Sequence, residues 1–393
     1  MQFKIKDIVD ASFNTMVSWR EYLHAHPELS FQEVNTSAFV VSKLKEFDIP
    51  YKHGIAGTGV VALIKGRNPE KRCIALRADL DALPIYEENE VPYKSKKEGV
   101  MHACGHDVHT TCLLGAANVL NQLKNEFEGT IKLIFQPGEE RLPGGASMMI
   151  NEGVLENPKV DKILALHVYP SMDVGKVGFK PGLYMAACDE LYLTIKGKGG
   201  HAALPNAYNN PLMLISKLLP KLESYLESLS DSTSPYVLAF GKLEAEGATN
   251  VIPEFAKAAG TLRTMDEQWR TIIHKKLKVF VTKFLTSNNA EGQLEIIKGY
   301  PFLKNDEILT ENCIQSAKEY IGSENVELLD VRMTAEDFSF FSQKIPACFF
   351  RLGVRNEDLG IVYGVHHSKF DIDKNAIKFG SGLMAYITMN AFD

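Results

Sequence analysis

The chain is 393 residues long and has no uninterrupted apolar run near the ~18 residues a membrane-spanning helix requires, which excludes a helical integral membrane protein. It also lacks a basic surplus. With 43 Lys and Arg against 49 Asp and Glu the formal net charge is −6, which argues against a nucleic-acid partner. No cysteine belongs to a CxxC pair: Cys73, Cys104, Cys112, Cys188, Cys313 and Cys348 are scattered. That usage reads as reduced thiols in a cytoplasmic protein, and all but Cys104 read as small core residues. The amino-terminal MQFKIKDIVDASFNTM places acids and lysines among its apolar positions. It therefore lacks the hydrophobic centre of a secretion signal and reads as an amphipathic first helix. There is no internal repeat, and the glycines around Lys196 and Lys198 lack phosphate-loop spacing.

What the chain does have is length for two domains and an ordinary globular balance of 45% hydrophobic and 23% charged residues. Helical spacing over 11–25 and 35–46 gives way to β-branched runs at 60–66 and 73–79. A helix over 110–123, a strand over 131–137, a helix over 145–153 and a strand over 162–169 follow. Strands that are apolar throughout and separated by helices predict a mostly parallel sheet covered on both faces, an α/β domain. Ligand residues of such sheets gather at the carboxyl ends of strands, where Asp79, Glu139, Glu140 and His167 fall. From about Asp189 the texture alternates apolar and polar residues, in the order strand–helix–strand–strand–helix–strand, with one strand read over 234–245. This predicts an inserted α+β sandwich over 188–290. The first domain would comprise 1–187 and 291–393, with the parallel pattern resuming from about residue 293.

The chemistry-bearing residues are concentrated. MHACGHDVHT places His102, Cys104, His106 and His109 within eight residues, a density of soft sulfur and imidazole suited to a divalent transition metal. Glu139 and Glu140 follow the strand IKLIFQP, and adjacent carboxylates can divide between binding metal and moving a proton. His167 ends an aliphatic strand, and His366–His367 lie in a late loop. One thiolate, three imidazoles and a carboxylate make an inventory that would complete two adjacent metal ions.

Taken in order, RADLDALP, HACGHDVHT, IFQPGEE, LALHVYP, GKGGHAALP, TAEDFSFF and HHSKFD resemble the dinuclear metallopeptidase family of hippurate hydrolases, auxin-conjugate amidohydrolases and N-acyl-diaminopimelate deacylases. WREYLHAHPELSFQE is similar to that family's amino-terminal signature, so the likeness runs from about residue 18 to 385. It implies a zinc-peptidase-like catalytic domain, a ferredoxin-like inserted domain serving as lid and dimerisation module, and two divalent ions (Zn, Mn, Co or Ni). Cys104, His106, Glu140, His167 and His366 would be the metal ligands, with Cys104 as the bridge, and Glu139 the general base. His201 would reach the partner subunit's site of a homodimer, or of a tetramer, and polarise the scissile carbonyl. Asn250 and Arg263 would grip a substrate carboxylate, for which an arginine fork is suited. Wider relatives carry a histidine where this chain has Arg77, which leaves Asp79 to orient a ligand histidine. Alignment on Phe370–Asp371 selects His366 over His367.

The expected activity is hydrolysis of the amide bond of an N-acyl amino acid. A dipeptidase or aminopeptidase, a thiol hydrolase using Cys104, and a metal-binding protein without turnover stay open at this point. His24 and His26, just before a proline, read as groups that cap or hydrogen-bond locally, and His102 and His109 as structural.

Overall fold

The computed structural model describes residues 1–230 and 235–392, and it divides into two compact units. The first comprises Met1–Tyr184, Lys304–Val331 and Asp337–Asp393; the second comprises Met185–Leu303 and Arg332–Glu336.

Among the described residues, the first unit holds an eight-stranded sheet. From one edge its strands are Tyr51–Ile55, Gly59–Lys65, Thr130–Gln136, Cys73–Asp79, Lys162–Asp173, Ala347–Arg355, Val177–Phe179 and Val326–Leu328. The four central strands run parallel, whereas the first two and the short Val177–Phe179 strand join their inner neighbours antiparallel. Cys73–Asp79 and Thr130–Gln136 are buried at every position, as a sheet covered on both faces demands. The core side chains Leu76, Leu133, Leu164 and Phe350 come one from each of the four central strands. Helices Gln2–Ala25, His106–Gln122 and Asn375–Asn390 pack together over one side. The amphipathic start and the spacing over 11–25 thus form one continuous helix.

A lysine sits inside strand Thr130–Gln136. Lys132 is only 2% exposed, and its Nζ donates to the carbonyls of Val154, Glu156 and Pro158, each at 2.8 Å. The ammonium closes the loop that follows helix Gly145–Asn151, because a buried charge needs this full set of acceptors.

The second unit is a ferredoxin-like βαββαβ sandwich. Its sheet order is Tyr236–Glu244, Phe255–Thr264, Ala187–Lys196, Glu291–Lys298, all antiparallel. Helices Pro211–Leu229 and Glu267–Ser287 supply Leu214, Leu218, Ile273 and Leu277 to a core with Leu191, Leu193 and Leu262. Both helices start on side-chain caps, Asn210 with Pro211 behind it and Asp266. Ser234, the first residue of one expected strand, lies outside the described residues.

The far boundary of this unit differs from the sequence expectation. Glu291–Lys298 does not resume the parallel sheet; it pairs antiparallel with Ala187–Lys196, Leu294 opposite Leu193 and Lys298 opposite Asp189. Only Leu294 and Ile296 turn to the core, the alternation of an edge strand, so the unit continues to Leu303 rather than ending at 290.

Among the described residues no helix is long and apolar enough to cross a membrane.

Candidate metal centre

The cluster is built by backbone geometry at two glycines. Gly105 caps helix His106–Gln122 at φ +84, and a Cβ there would lie 2.6 Å from Val168 Cγ2. Only glycine fits, and the turn leaves Cys104 just outside the helix with His106 at its first position. Gly138, at φ +58, turns the chain out of strand Thr130–Gln136 beneath the ring of Phe31, which a Cβ would approach to 2.3 Å. That turn presents Glu139 and Glu140.

Five residues from four chain segments converge. Ligand atoms of Cys104, His106 and His167 lie within 4.8 Å of one another, and so do those of Cys104, Glu140 and His366. The two sets share Cys104. Its Sγ is 3.5 Å from His167 Nε2, and His366 Nε2 is 3.2 Å from Glu140 Oε1. His366 sits at φ +65 and donates its N–H to Ala103 O, tying the late loop to the cysteine segment. Its neighbour His367 instead stacks on Tyr363. Glu139 is buried and forms a further close set with His106 and Glu140; Asp337 N–H donates to its Oε1 at 3.4 Å.

The donor set fits divalent ions on the structure's own terms. Among the described residues His106 Nε2 is buried without a hydrogen-bond partner, with the acidic oxygens Asp79 Oδ2 at 3.8 Å and Glu140 Oε1 at 4.0 Å. Glu140 Oε1 is likewise buried and unbonded, since His366 approaches it without hydrogen-bond alignment. An imidazole nitrogen and a carboxylate oxygen left this way, beside a thiol, are what a metal would satisfy.

Electrostatics reinforce the point. Burial pulls the His106 imidazolium down, but Asp79, Asp81 and Glu140 outweigh it and raise the group to about 10. Burial, with the carboxylates of Glu140, Glu139 and Asp79, pushes the Cys104 thiol well above its ordinary value. Burial holds His167 neutral, helped by His109 and Arg351. The pocket has an excess of negative charge that calls for a cation.

Asp79 does not orient a ligand histidine. Its Oδ1 accepts from His109 Nδ1 at 2.6 Å, and its Oδ2 accepts from Arg77 at 2.5 Å. The nitrogen of His106 that faces away from the cluster, Nδ1, bonds Asp81 at 3.1 Å. Arg77 is locked between Asp79 and Asp337 and also donates to Gln136, which makes it a buried ion-pair partner of the acids around the cluster. His24 reaches well beyond its own turn: it lies buried between Asp107 at 2.7 Å and Glu87 at 3.1 Å, with Arg20 Nη2 3.2 Å from its Nδ1. His26 does bond locally, to Tyr22 O. His102 is fully buried, and burial drops it to about 4.

The remaining expected residues lie in the second unit. His201, exposed, occupies a two-stranded ribbon opposite Val251, and Asn250 O accepts from Ala202 N at 3.0 Å, so His201 and Asn250 are neighbours. Arg263 is half-buried on an interior strand, on the face opposite Leu262. Asp81 and Asp337 were missed by the sequence reading. The sole hint was a second acid in RADLD and the acid of TAEDF.

The model of peptidase family M20/M25/M40 matches residues 75–390. An IAA-amino acid hydrolase of Arabidopsis thaliana, ILR1-like 4, is 35% identical over 95% of this chain and 84% of its own length. The N-acetylcysteine deacetylase of Bacillus subtilis (strain 168) is 34% identical over 97% of this chain and 98% of its own. Among solved structures, the YXEP protein of Bacillus subtilis, a dinuclear metal-binding peptidase from the M20 family, superposes with a TM-score of 0.83 at 30% identity, covering 98% of this chain and 99% of that one.

Proposed function

The chain belongs to peptidase family M20/M25/M40, and from that premise we propose that it is a two-metal amidohydrolase cleaving the amide bond of N-acyl amino acids. One observation carries this reading: two overlapping ligand sets that share Cys104, each containing a buried donor atom that has no hydrogen-bond partner among the described residues. Cys104, His106 and His167 would hold one ion, and Cys104, Glu140 and His366 the other. Divalent ions held by these residues would lower the pKa of a water toward neutrality and polarise a carbonyl. Glu139, beside both sets, takes the proton of the attacking water on its carboxylate and delivers it to the leaving amine nitrogen. His201 hydrogen-bonds the developing oxyanion, typically worth about 3–4 kcal/mol for one good donor. Asn250 and Arg263 bind the substrate carboxylate.

The relatives named for N-acetylcysteine and for IAA-amino acids support an N-acylated amino acid as substrate. A thiol hydrolase is disfavoured by the surroundings of Cys104, which hold the thiol protonated, whereas a nucleophilic cysteine needs a lowered pKa. Function as a homodimer, with the second unit as lid and dimerisation module and His201 serving the partner's site, is part of the same reading. So is a cytoplasmic setting, which six free thiols support.

Release of free amino acid from a panel of N-acyl amino acids, with Mn, Co, Zn or Ni supplied in turn, tests the proposal. Hydrolysis of at least one N-acyl amino acid, abolished by chelation, is expected. Full activity in chelator would overturn it, and faster cleavage of dipeptides than of every N-acyl amino acid would replace it by a dipeptidase. For the shared site, His201→Ala and Glu139→Gln, each inactive alone, should recover toward a quarter of wild-type activity once subunits mix at random. No recovery despite proven exchange would return His201 to its own chain.

A further inference from the structure

Asp81 is 1% exposed and sits two residues beyond the end of strand Cys73–Asp79, where three chain segments meet it. Its Oδ1 accepts from His106 Nδ1 at 3.1 Å. Its Oδ2 accepts from the Ser30 hydroxyl at 2.6 Å and from Glu140 N–H at 3.0 Å. A carboxylate has about four lone-pair positions, so three of them are committed, each to a different element. Two of those elements carry metal-ligand candidates, one for each ligand set. The third, the segment Ser30–Glu33, also grips the acidic turn: Glu33 Oε1 accepts from Gly138 N–H at 2.8 Å and Glu33 Oε2 from the Thr58 hydroxyl at 2.6 Å.

We infer that Asp81 is a positioning residue that couples the two halves of the metal centre, fixing the proton of His106 on Nδ1 while holding the main chain of Glu140. The inference rests on the two-metal reading above. An imidazole ligates through a nitrogen that carries no proton, and the hydrogen bond made by the other nitrogen decides which one that is. With Asp81 accepting at Nδ1, Nε2 is the nitrogen left to face the cluster. The same carboxylate anchors Glu140 through its backbone, so a shift that satisfies His106 is felt at Glu140 and the reverse.

The isosteric change Asp81→Asn isolates this role, because the amide cannot keep all three bonds. If its oxygen stays with Ser30 and Glu140, its NH2 faces His106 Nδ1 and selects the tautomer with the proton on Nε2, which cannot ligate. If its oxygen stays with His106, the NH2 repels Glu140 N–H and the turn is released. Either orientation damages one half directly and the other through the shared carboxylate.

The test is calorimetric titration of the metal-free full-length chain with Co2+, with the cobalt spectrum followed in parallel. Wild type should bind two ions, and Asp81→Asn should bind both about 10–100-fold more weakly, the usual cost of losing such an outer partner. Ser30→Ala, which removes one donor to Asp81, should weaken both by about two- to tenfold. Circular dichroism of the metal-free variants separates this from lost folding, since a purely structural role would lower the melting temperature and leave the affinity of the folded protein unchanged. Should Asp81→Asn fail to fold, Ser30→Ala decides by the same criterion. Affinities within about twofold of wild type in a folded variant, or weakening of one ion alone, would overturn the coupling and leave the two-metal reading standing. A wild-type chain that takes up no ion would overturn both.

Discussion

Each unit buries a cluster of charges, and the two clusters are finished differently. In the second unit, Asp189 accepts from Arg270 Nε at 3.0 Å, Arg270 Nη2 at 2.5 Å, His274 at 2.6 Å and Gly299 N–H at 3.2 Å. Arg270 spends its other donors on Glu267, Cys188 O and Gly299 O. Both oxygens of Asp189 and all three nitrogens of the Arg270 guanidinium are bonded to protein groups. In the first unit, carboxylates outnumber cations around Cys104, and His106 Nε2 and Glu140 Oε1 are buried with no hydrogen-bond partner among the described residues. A closed cluster holds a fold together; one left open at chosen atoms is waiting for something from solution. The difference separates a structural ion pair from a binding site where burial and residue type do not.

The sharpest way to break this comparison lies in the open cluster. Glu139→Gln should lower the hydrolytic rate by about 10²–10⁴ with metal content unchanged, whereas Glu140→Gln should lose metal, measured by elemental analysis after gel filtration. The reverse pattern would mean the roles of base and ligand are exchanged. In the closed cluster the loss should appear as stability: Arg270→Ala strands a buried carboxylate and should cost about 3–5 kcal/mol by denaturant titration, with metal stoichiometry unaffected.

A smaller effect separates the clusters by their protons. His106, raised to about 10 by Asp79, Asp81 and Glu140, and Cys104, raised well above its ordinary value by burial and the same acidic surroundings, both favour their protonated forms in the metal-free protein near pH 8. Metal uptake should release about two protons per chain, read from the dependence of the calorimetric enthalpy on the buffer. Because the His106 value is raised above its unfolded ~6.5, its contribution to metal-free stability is complete below that pH. That contribution fades as pH rises toward about 10, so metal affinity should climb over the same window. The closed cluster responds in the opposite direction and least. Burial lifts Asp189, but His274 and Arg270 outweigh it and lower the group, so its contribution is present above the unfolded ~3.9 and is lost as pH falls through the folded value. A fall in melting temperature on acidification, absent in Asp189→Asn, is expected.

The open cluster was the part most legible in the sequence. Cys104, His106, Glu139 and Glu140 lie in two short motifs whose local spacing already suggests metal chemistry, and the strands between them are apolar enough to predict the parallel sheet. What escaped were contacts between distant segments. Asp81 reaches His106 25 residues away, Ser30 51 away and Glu140 59 away, and no spacing rule distinguishes it from Asp79. His24 looked local because Pro27 follows closely, yet its partner Asp107 is 83 residues on. Strand Glu291–Lys298 was assigned to the wrong sheet because an edge strand with only Leu294 and Ile296 turned inward carries little pattern of its own.

Lys132 shows a third way to place a cation. Three carbonyls at 2.8 Å surround its ammonium much as a loop would wrap potassium, but this ion is attached to the strand beneath it. A tethered ion has no dissociation constant to lose: dilution, dialysis and chelator strip a free metal, while the occupancy of this cage stays fixed by the covalent chain. The loop over residues 154–158 should therefore keep its order through every treatment used to empty the metal centre, which makes it an internal reference against which metal-dependent changes can be read.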